Sequence, residues 1–262
     1  MHFHIPKPLH GWREFVGEVA IIVLGVTIAL SAEQLVQHWS WHRQSVETKR
    51  ALSSELESSA LFAIERVAVQ QCLRDRIKHL TDKLNSGATN WTADPMILGS
   101  PKTPMGSRDF PTSIPLAYRT PHRPWLSDEW ETAKSTGIID HMDRKDATNF
   151  EFVYRGVDQL NSLQDEETST LPQINFLSFD DSIQPQSREQ VLIALSRLDL
   201  TNTWIAIVAR QMLATMRSMH LRFDPANRFG GSGVTFGAAR ERMLVALRER
   251  YGPCVIAAPN AT

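Results

Sequence analysis

The most apolar stretch of the chain is residues 16–36, which read VGEVAIIVLGVTIALSAEQLV and contain no proline, lysine or arginine. About 20 residues, rising about 1.5 Å each, span a hydrocarbon layer of roughly 30 Å. A buried core helix rarely holds a run as aliphatic as Val19 to Val26. A signal peptide changes character after a small-residue cleavage point, whereas the helical pattern continues here. We therefore predict a retained transmembrane helix over residues 16–36, after a tail of residues 1–15.

Aromatic residues flank this helix on both sides. Trp12 precedes the apolar run, and Trp39 and Trp41 follow it. Trp12 and Trp39 are separated by about 40 Å of helix, the thickness of a bilayer with its headgroups, where indole rings concentrate. We predict that the three tryptophans mark the two membrane interfaces.

One face of the predicted span differs from the rest because three of its residues are small. Small residues let a second helix approach closely in lipid, where packing drives association. A helix contact and an incidental cluster in a lipid-facing anchor both fit this pattern. We call this face the anchor stripe, and it comprises Glu18, Ile22, Gly25, Ala29, Ala32 and Val36.

Basic residues do not decide the orientation of the anchor. Lys7 and Arg13 stand before it, and Arg43, Lys49 and Arg50 follow it. A short tail ahead of a first helix commonly stays in the cytoplasm. We expect a single-pass protein with a cytoplasmic N-terminus and its main domain outside the cytoplasm.

After the anchor, apolar residues recur every three or four positions, and no proline or glycine occurs before Gly87. This spacing is typical of an amphipathic helix, so we predict a stalk helix over residues 37–86. Seven of the 14 prolines lie between Gly87 and Pro124. They predict a long irregular loop over residues 87–125, because proline disrupts a helix interior.

Residues 126–262 carry the signals of further helices and no convincing alternating strand. Ser127 is placed as the N-cap of a short helix, and a longer helix starts at Asp143. Ser187 begins the most apolar helix of this region, and a last helix ends at Gly252. The predicted fold class is mainly α: a transmembrane helix continues into a stalk and an antiparallel helical bundle with a long Pro-rich loop. The domain packs with the stalk.

Charge and cysteine content exclude several classes of function. The chain has 28 basic and 29 acidic residues, a balance that does not favour nucleic-acid binding. Cys72 and Cys254 lack the paired spacing of a structural zinc site. They allow either one disulfide in an extracytoplasmic domain or two inert thiols, the commoner case.

In the anchor, Gly17 and Glu18 open an aliphatic span that holds Gly25 and the pair Ala29-Leu30, and Trp39 lies in the exit. Further on, Trp130 to Ala133 are followed by Gly137 and Tyr154. These two features resemble a family of uncharacterised bacterial single-pass membrane proteins, whose exit is richer in Asn than residues 34–41 are here. The resemblance implies attachment to a bacterial inner membrane, with a helical main domain in the periplasm, and no assigned activity.

No residue pattern predicts catalysis. His38 and His42 share one helical face, but no third metal ligand is evident nearby, so we expect them to serve at the membrane interface. The acidic run Asp165-Glu166-Glu167 is expected on the surface, since adjacent residues on a helix point apart. A Gly-x-Ser-x-Gly nucleophile sequence is absent. We predict no enzyme, no catalytic residue, no metal and no cofactor.

Two hypotheses for the function are compatible with these patterns. The leading hypothesis is a non-enzymatic accessory subunit of a membrane protein assembly, which contacts the lipid bilayer and either copies of itself or other membrane subunits. The alternative is an extracytoplasmic small-molecule sensor, in which the loop between Trp91 and Trp125 forms a lid over a ligand between helices. No substrate and no nucleic-acid partner are predicted.

Overall fold

A computed structural model describes residues 11–87, 89–98, 114–221 and 235–257. In these residues the fold is mainly helical, as predicted. Three short 3₁₀ helices, Ile138–His141, Leu171–Gln173 and Asn175–Ser178, supplement the regular elements. In chain order the regular elements are α1 Gly11–Asn85, β1 Asn90–Trp91, β2 Met96–Leu98, β3 Ile114–Leu116, α2 Asp128–Ser135, α3 Arg144–Thr170, β4 Asp181–Ser182, α4 Pro185–Ser218 and α5 Phe236–Tyr251.

Helix α1 runs without a break through both the predicted anchor and the predicted stalk. Its 75 residues correspond to about 110 Å of helix. The first buried side chain is Ser45, and from Leu52 onward the apolar stripe lies in the core of the bundle. The stalk is thus the central helix of the folded domain over most of its length.

Helix α4 packs against both α1 and α3. It runs antiparallel to α1, because Arg74 of α1 bonds to Thr203 while Gln70, nearer the start of α1, bonds to Arg210. The approach of α4 to α3 is close at Gly156, where an added Cβ would lie 2.6 Å from Met212 Cγ. A side chain at position 156 would therefore require Met212 to shift.

Helix α3 runs parallel to α1. Its first turn is joined to α1 by the Lys49–Asp146 ion pair, and its last turn by Arg66–Glu167. The predicted start of this helix at Asp143 is confirmed: the Asp143 carboxylate caps it by accepting hydrogen bonds from two backbone N–H groups of the first turn. Ser127 precedes α2 as predicted, but its side chain makes no capping hydrogen bond.

Four short strands form two antiparallel ribbons, β1 with β4 and β2 with β3. The sequence did not predict these strands, because strands of two or three residues show no alternation.

Both ends of the Pro-rich loop are fixed in the core: Trp91 and Trp125 are each 5% exposed. The Trp91 indole donates to Leu177 O, and Trp125 packs edge-on against Phe62. The two ends of the predicted lid are therefore fixed, and its central part, residues 99–113, lies outside the described residues.

Candidate functional site

The first half of α1 exposes every side chain that the structure describes between Phe15 and Val36. Its most apolar window has a mean hydropathy of 2.2, and none of that window is buried. Helix α4 also has a window apolar enough to cross a membrane, with a mean hydropathy of 1.5, but half of it is buried. Helix α4 therefore has the burial of a core helix, whereas the first half of α1 is long and apolar enough to span a membrane and is not covered by the rest of the described chain.

The whole anchor stripe is exposed on this helix. A Cβ added to Gly25 would meet no atom within 4 Å, so the small-residue face is open. The polar side chains nearby are satisfied within the helix: Thr27 donates to Val23 O and Ser31 donates to Thr27 O, both at 2.7 Å. This segment therefore exposes no unpaired hydroxyl to a bilayer.

The three predicted interface tryptophans have different surroundings. Trp12 is 78% exposed and Trp39 is 81% exposed, as a membrane-contacting indole requires. Trp41 is half-buried and stacks on His141, with ring centroids 4.0 Å apart and planes inclined by 12°. Trp41 thus joins α1 to the bundle. The sequence could not show this, because its partner is far away in the chain.

The bundle begins immediately after the exposed half of α1. Between Val36, the end of the predicted span, and Ser45, the first buried residue, the helix rises about 13 Å. The Trp41–His141 stack lies within this interval, and the Lys49–Asp146 ion pair lies one turn beyond it. The base of the bundle is therefore held to α1 without a flexible linker.

Cys72 and Cys254 form a disulfide, so the alternative of two inert thiols is wrong for this structure. The bond joins the C-terminal part of α1 to the segment after α5, across 182 residues of sequence. Beside it, Ile256 N donates to Ala68 O at 3.1 Å. Both contacts hold the C-terminal segment against α1.

A buried ion pair lies at the centre of the bundle. Arg66 makes two hydrogen bonds to Glu167, at 2.9 and 3.0 Å, and the two side chains are 1% and 0% exposed. Burial lowers the pKa of Arg66, but the Glu167 carboxylate offsets this effect, so the pKa is raised overall. The expectation that Glu167 lies on the surface is wrong: only Asp165 and Glu166 of that run are exposed.

Polar bonds also hold the extended segment that follows β3 against this ion pair. Arg66 donates to Pro121 O at 2.9 Å, and the Thr120 hydroxyl donates to Glu167 at 3.0 Å. Next along α1, Glu65 accepts two hydrogen bonds from Arg123. The segment is therefore fixed, although it has no regular structure.

A cavity of about 530 Å³ opens beside this segment. One wall is residues 116–120 with His122, and the other is the end of α3 with the turn that follows it. Its volume is in the range of small-molecule sites. No local sequence pattern predicted this cavity, because its two walls are about 50 residues apart in the chain.

The only residues considered as metal ligands in the sequence were His38 and His42. Both are exposed on one face of α1. Nowhere in residues 11–87, 89–98, 114–221 and 235–257 do three His, Cys, Asp or Glu residues group in a way that could hold a metal.

Two residues of the second feature that resembles the family lie in contact. The Trp130 ring stacks on the Tyr154 ring, with centroids 5.1 Å apart, and the Tyr154 hydroxyl donates to Glu55 at 2.7 Å.

The chain matches no protein-family model, no curated protein and no solved structure. Its resemblance to the family of bacterial single-pass membrane proteins therefore stays a prediction.

Proposed function

We propose that this chain is a non-enzymatic single-pass membrane protein that acts as an accessory subunit of a membrane assembly. The observation that carries the proposal is the continuity of α1. An apolar segment, exposed on all sides, continues without a break into the buried core of a folded bundle. Such a helix holds the bundle in a fixed position relative to the bilayer, as a scaffold for partner proteins requires.

Membrane retention is tested by washing membranes from expressing cells with alkaline carbonate. The full chain should stay in the pellet and keep its N-terminal segment. Recovery of a soluble chain that begins near Ser31 or Ala32 would show a cleaved leader and would overturn the proposal.

We propose further that the bundle is periplasmic, in a bacterial inner membrane, with the N-terminus in the cytoplasm. The disulfide supports this orientation, because disulfides persist in oxidising compartments and are rare in the cytosol. Thiol labelling of Cys72 and Cys254 in rapidly quenched cells should require prior reduction. A topology reporter fused after Thr262 should be active outside the cytoplasm. Labelling without reduction, together with cytoplasmic reporter activity, would reverse the orientation.

The assembly contact is proposed to run along the anchor stripe. Replacing Gly25 and Ala29 with Leu fills its shallow groove, and Leu is at least as favourable in the bilayer interior. The double variant should insert normally and lose copurifying partners, or its own second copy. Leu at Val23 and Thr27, mostly off the stripe, is the matched control. Equal retention by both double variants would show that the anchor is only a tether.

A second candidate function is an extracytoplasmic small-molecule sensor or receptor domain. One observation favours it: the cavity beside the Arg66–Glu167 ion pair has the volume of a ligand site. This candidate does not need the lid that the sequence suggested. Binding of a small molecule by the purified protein would test it independently of any assembly.

A further inference from the structure

The chain reverses direction between α2 and α3, and we call residues 136–143 the α2–α3 turn. At the start of α2, Glu129 N donates to the Glu55 side chain of α1 at 3.0 Å. At the turn, the His141 ring stacks on Trp41, which precedes Glu55 by 14 residues. Helix α2 therefore descends along α1 by about 20 Å, toward the proposed anchor.

Helix α3 leads away from the anchor again. Its first turn is paired with Lys49 and its last turn with Arg66, and both residues lie further along α1 than Trp41. The α2–α3 turn is therefore the end of this helical hairpin that lies nearest the proposed span.

The height of the turn above the bilayer follows from the unbroken helix α1. Trp41 lies five residues beyond Val36, so its Cα is about 7–8 Å beyond the end of the proposed span. Side chains on a helix tilt toward its N-terminus, so the Trp41 ring and the His141 ring stacked on it lie nearer the span than that. The headgroups of a bilayer form a layer of roughly 5–7 Å on each side of the hydrocarbon. The turn therefore lies at the level of the headgroups.

Packing and hydrogen bonds fix the shape of the turn. Ile138 is 3% exposed and Met142 is 8% exposed, so the turn packs into the bundle through two apolar side chains. Asp140 N donates to Gly137 O, and Met142 N donates to Ile139 O. Gly137 has a φ of 71°, a left-handed conformation that favours glycine. The turn therefore stays at the height at which α1 holds it.

The outer surface of the turn suits lipid headgroups better than hydrocarbon. Thr136, Asp140 and His141 are exposed. By contrast, no large apolar side chain of residues 127–151, all of which the structure describes, is exposed. Polar side chains of this kind exchange hydrogen bonds with headgroups and do not enter the hydrocarbon. The turn is thus suited to rest on a bilayer and not to insert into it.

Two basic side chains beside the turn add attraction to a lipid surface. Arg144 and Lys145 are exposed, and neither forms an ion pair with another residue of the described chain. The neighbouring carboxylates are engaged, since Asp143 caps α3 and Asp146 is paired with Lys49. Lipid phosphates attract such cations over a Debye length of about 8 Å.

The turn leaves the anchor stripe uncovered. Val36, the last residue of the stripe, and Trp41 are five residues apart, so they point about 140° apart around α1. The turn therefore meets the bilayer on a side of α1 away from the stripe. Trp39, which is 81% exposed, likewise stays open to lipid.

We propose that the α2–α3 turn is a second membrane contact, which rests on the headgroups of the leaflet from which α1 emerges. The contact limits the tilt of α1 toward that side. Helix tilt in a bilayer is otherwise set by neighbouring helices and by interfacial side chains. Here the bundle of the same chain sets it, so the anchor stripe meets a partner helix at a defined angle. The inference rests on the proposed membrane anchor, and the test separates the failure of one from the failure of the other.

The experiment measures how close three exposed positions lie to lipid headgroups. Asp140→Cys on the turn, Ser40→Cys at the exit of α1 and Ser196→Cys on α4 are each labelled with a thiol-reactive fluorophore in the full, disulfide-bonded chain. The chains are placed in nanodiscs of phosphatidylcholine and phosphatidylglycerol, with and without a nitroxide quencher on the choline headgroup. Ser196 lies beside residues 74–81 of α1, about 50–60 Å beyond Trp41, and is the distal control.

We expect the label at position 140 to be quenched about as strongly as the label at position 40, because both lie at the headgroup level. The label at position 196 should not be quenched. Seven alanines inserted between Ser40 and Trp41 raise the bundle by about 10 Å and turn it by only about 20°. The insertion precedes Ser45, the first buried residue, so the bundle keeps its contacts. It should reduce quenching at position 140 about threefold or more, through the rise of about 10 Å, and leave quenching at position 40 unchanged.

Each other outcome has a distinct meaning. Quenching at position 40 without quenching at position 140 would overturn the second contact and leave the anchor standing. Quenching at position 196, or quenching at position 140 that the insertion does not reduce, would also overturn it, since the bundle would then reach lipid by another route. Absence of quenching at position 40 would show that the proposed anchor is wrong, and this inference with it.

Discussion

The first half of α1 exposes its apolar side chains, whereas the second half buries them in protein. Ile21 and Leu35 are 72% and 71% exposed, while Leu52 and Leu56 are fully buried. Apolar residues surround the helix in the first half and form one stripe in the second. An all-round apolar surface suits lipid on every side, and a stripe suits other helices. The distribution of apolar residues, more than their number, determines which solvent each half needs.

The two halves of α1 also differ in where their charged side chains lie and in how these are paired. In the exposed half the only charged side chains of residues 16–36 are Glu18 and Glu33, near the two ends, from where a side chain can reach the headgroups. In the buried half, Glu65 and Arg66 are adjacent and each has an ion-pair partner from another element. At these two positions interior charge is tolerated because each group is paired.

Loss of a partner at the buried ion pair should give the largest effect on the bundle. Arg66→Met leaves the Glu167 carboxylate buried without its counter-charge, which should lower the free energy of unfolding by about 3–5 kcal/mol. Denaturant unfolding of the full chain in detergent, followed by tryptophan fluorescence, measures this loss.

The matched control is the ion pair of Arg43 and Glu47, whose side chains are 83% and 59% exposed. Arg43→Met should cost less than about 1 kcal/mol. Adding Glu167→Leu to Arg66→Met should restore much of the stability, since no uncompensated charge then remains. Similar losses in the two single variants would contradict the difference between the halves.

A charge placed in the exposed half should affect insertion and leave the fold of the bundle intact. Val23→Arg puts a guanidinium near the middle of the span, at a cost of about 2.5–3.5 kcal/mol on the insertion scale. Less of the variant should remain in membranes after a carbonate wash. Ile193→Arg on α4, a residue that is 58% exposed, should leave retention unchanged if α4 is a core helix. An equal loss in both variants would make α4 a second membrane element.

The sequence predicts the helices well because their signals are local. Three- and four-residue spacing predicted α1 beyond the anchor, and Asp143 predicted the start of α3. The long-range contacts had no such signal. Glu167 resembles its exposed neighbours in sequence, and only Arg66, 101 residues earlier, makes it a buried residue. Trp41 and Trp39 likewise look alike in the sequence, but in the structure only Trp41 stacks on His141 and is half-buried. The cavity depends on similar long-range placement, so it could not be predicted either.

Gly156 and Gly25 allow the same substitution, glycine to alanine, to be compared at a packed surface and at an exposed one. At Gly156 an added Cβ would meet Met212 at 2.6 Å, so Gly156→Ala should overpack the α3–α4 contact and cost about 1–3 kcal/mol of unfolding free energy. At Gly25 the Cβ meets nothing, and Gly25→Ala should leave bundle unfolding unchanged. Thermal unfolding of both variants measures the difference. A stability gain at Gly156 would mean that Met212 moves aside easily and that the close approach is not required.

The smallest expected effect concerns Asp94, which lies opposite the distal part of α1. Arg76 and His79 approach the Asp94 carboxylate at 3.0 Å, and the Arg76 hydrogen bond lowers its pKa below the ordinary value of 3.8. A carboxyl whose pKa is lower in the folded state stabilises the fold above its unfolded pKa. It loses that contribution as the pH falls through the folded pKa.

Asp94→Asn should therefore reduce stability near neutral pH, and the difference from the unaltered chain should shrink as the pH falls below the ordinary value of 3.8 and through the lower folded-state pKa. Because the Asp94 side chain is 57% exposed, solvent screening limits the effect to a few tenths of a kcal/mol. Denaturant midpoints of the two chains, measured between pH 7 and pH 3, provide the comparison. A difference that grows toward low pH would contradict the sign of the pKa shift. A difference as large as that of Arg66→Met would mean that the Asp94 ion pair is shielded from water, and the contrast between exposed and buried charge along α1 would then fail at its distal end.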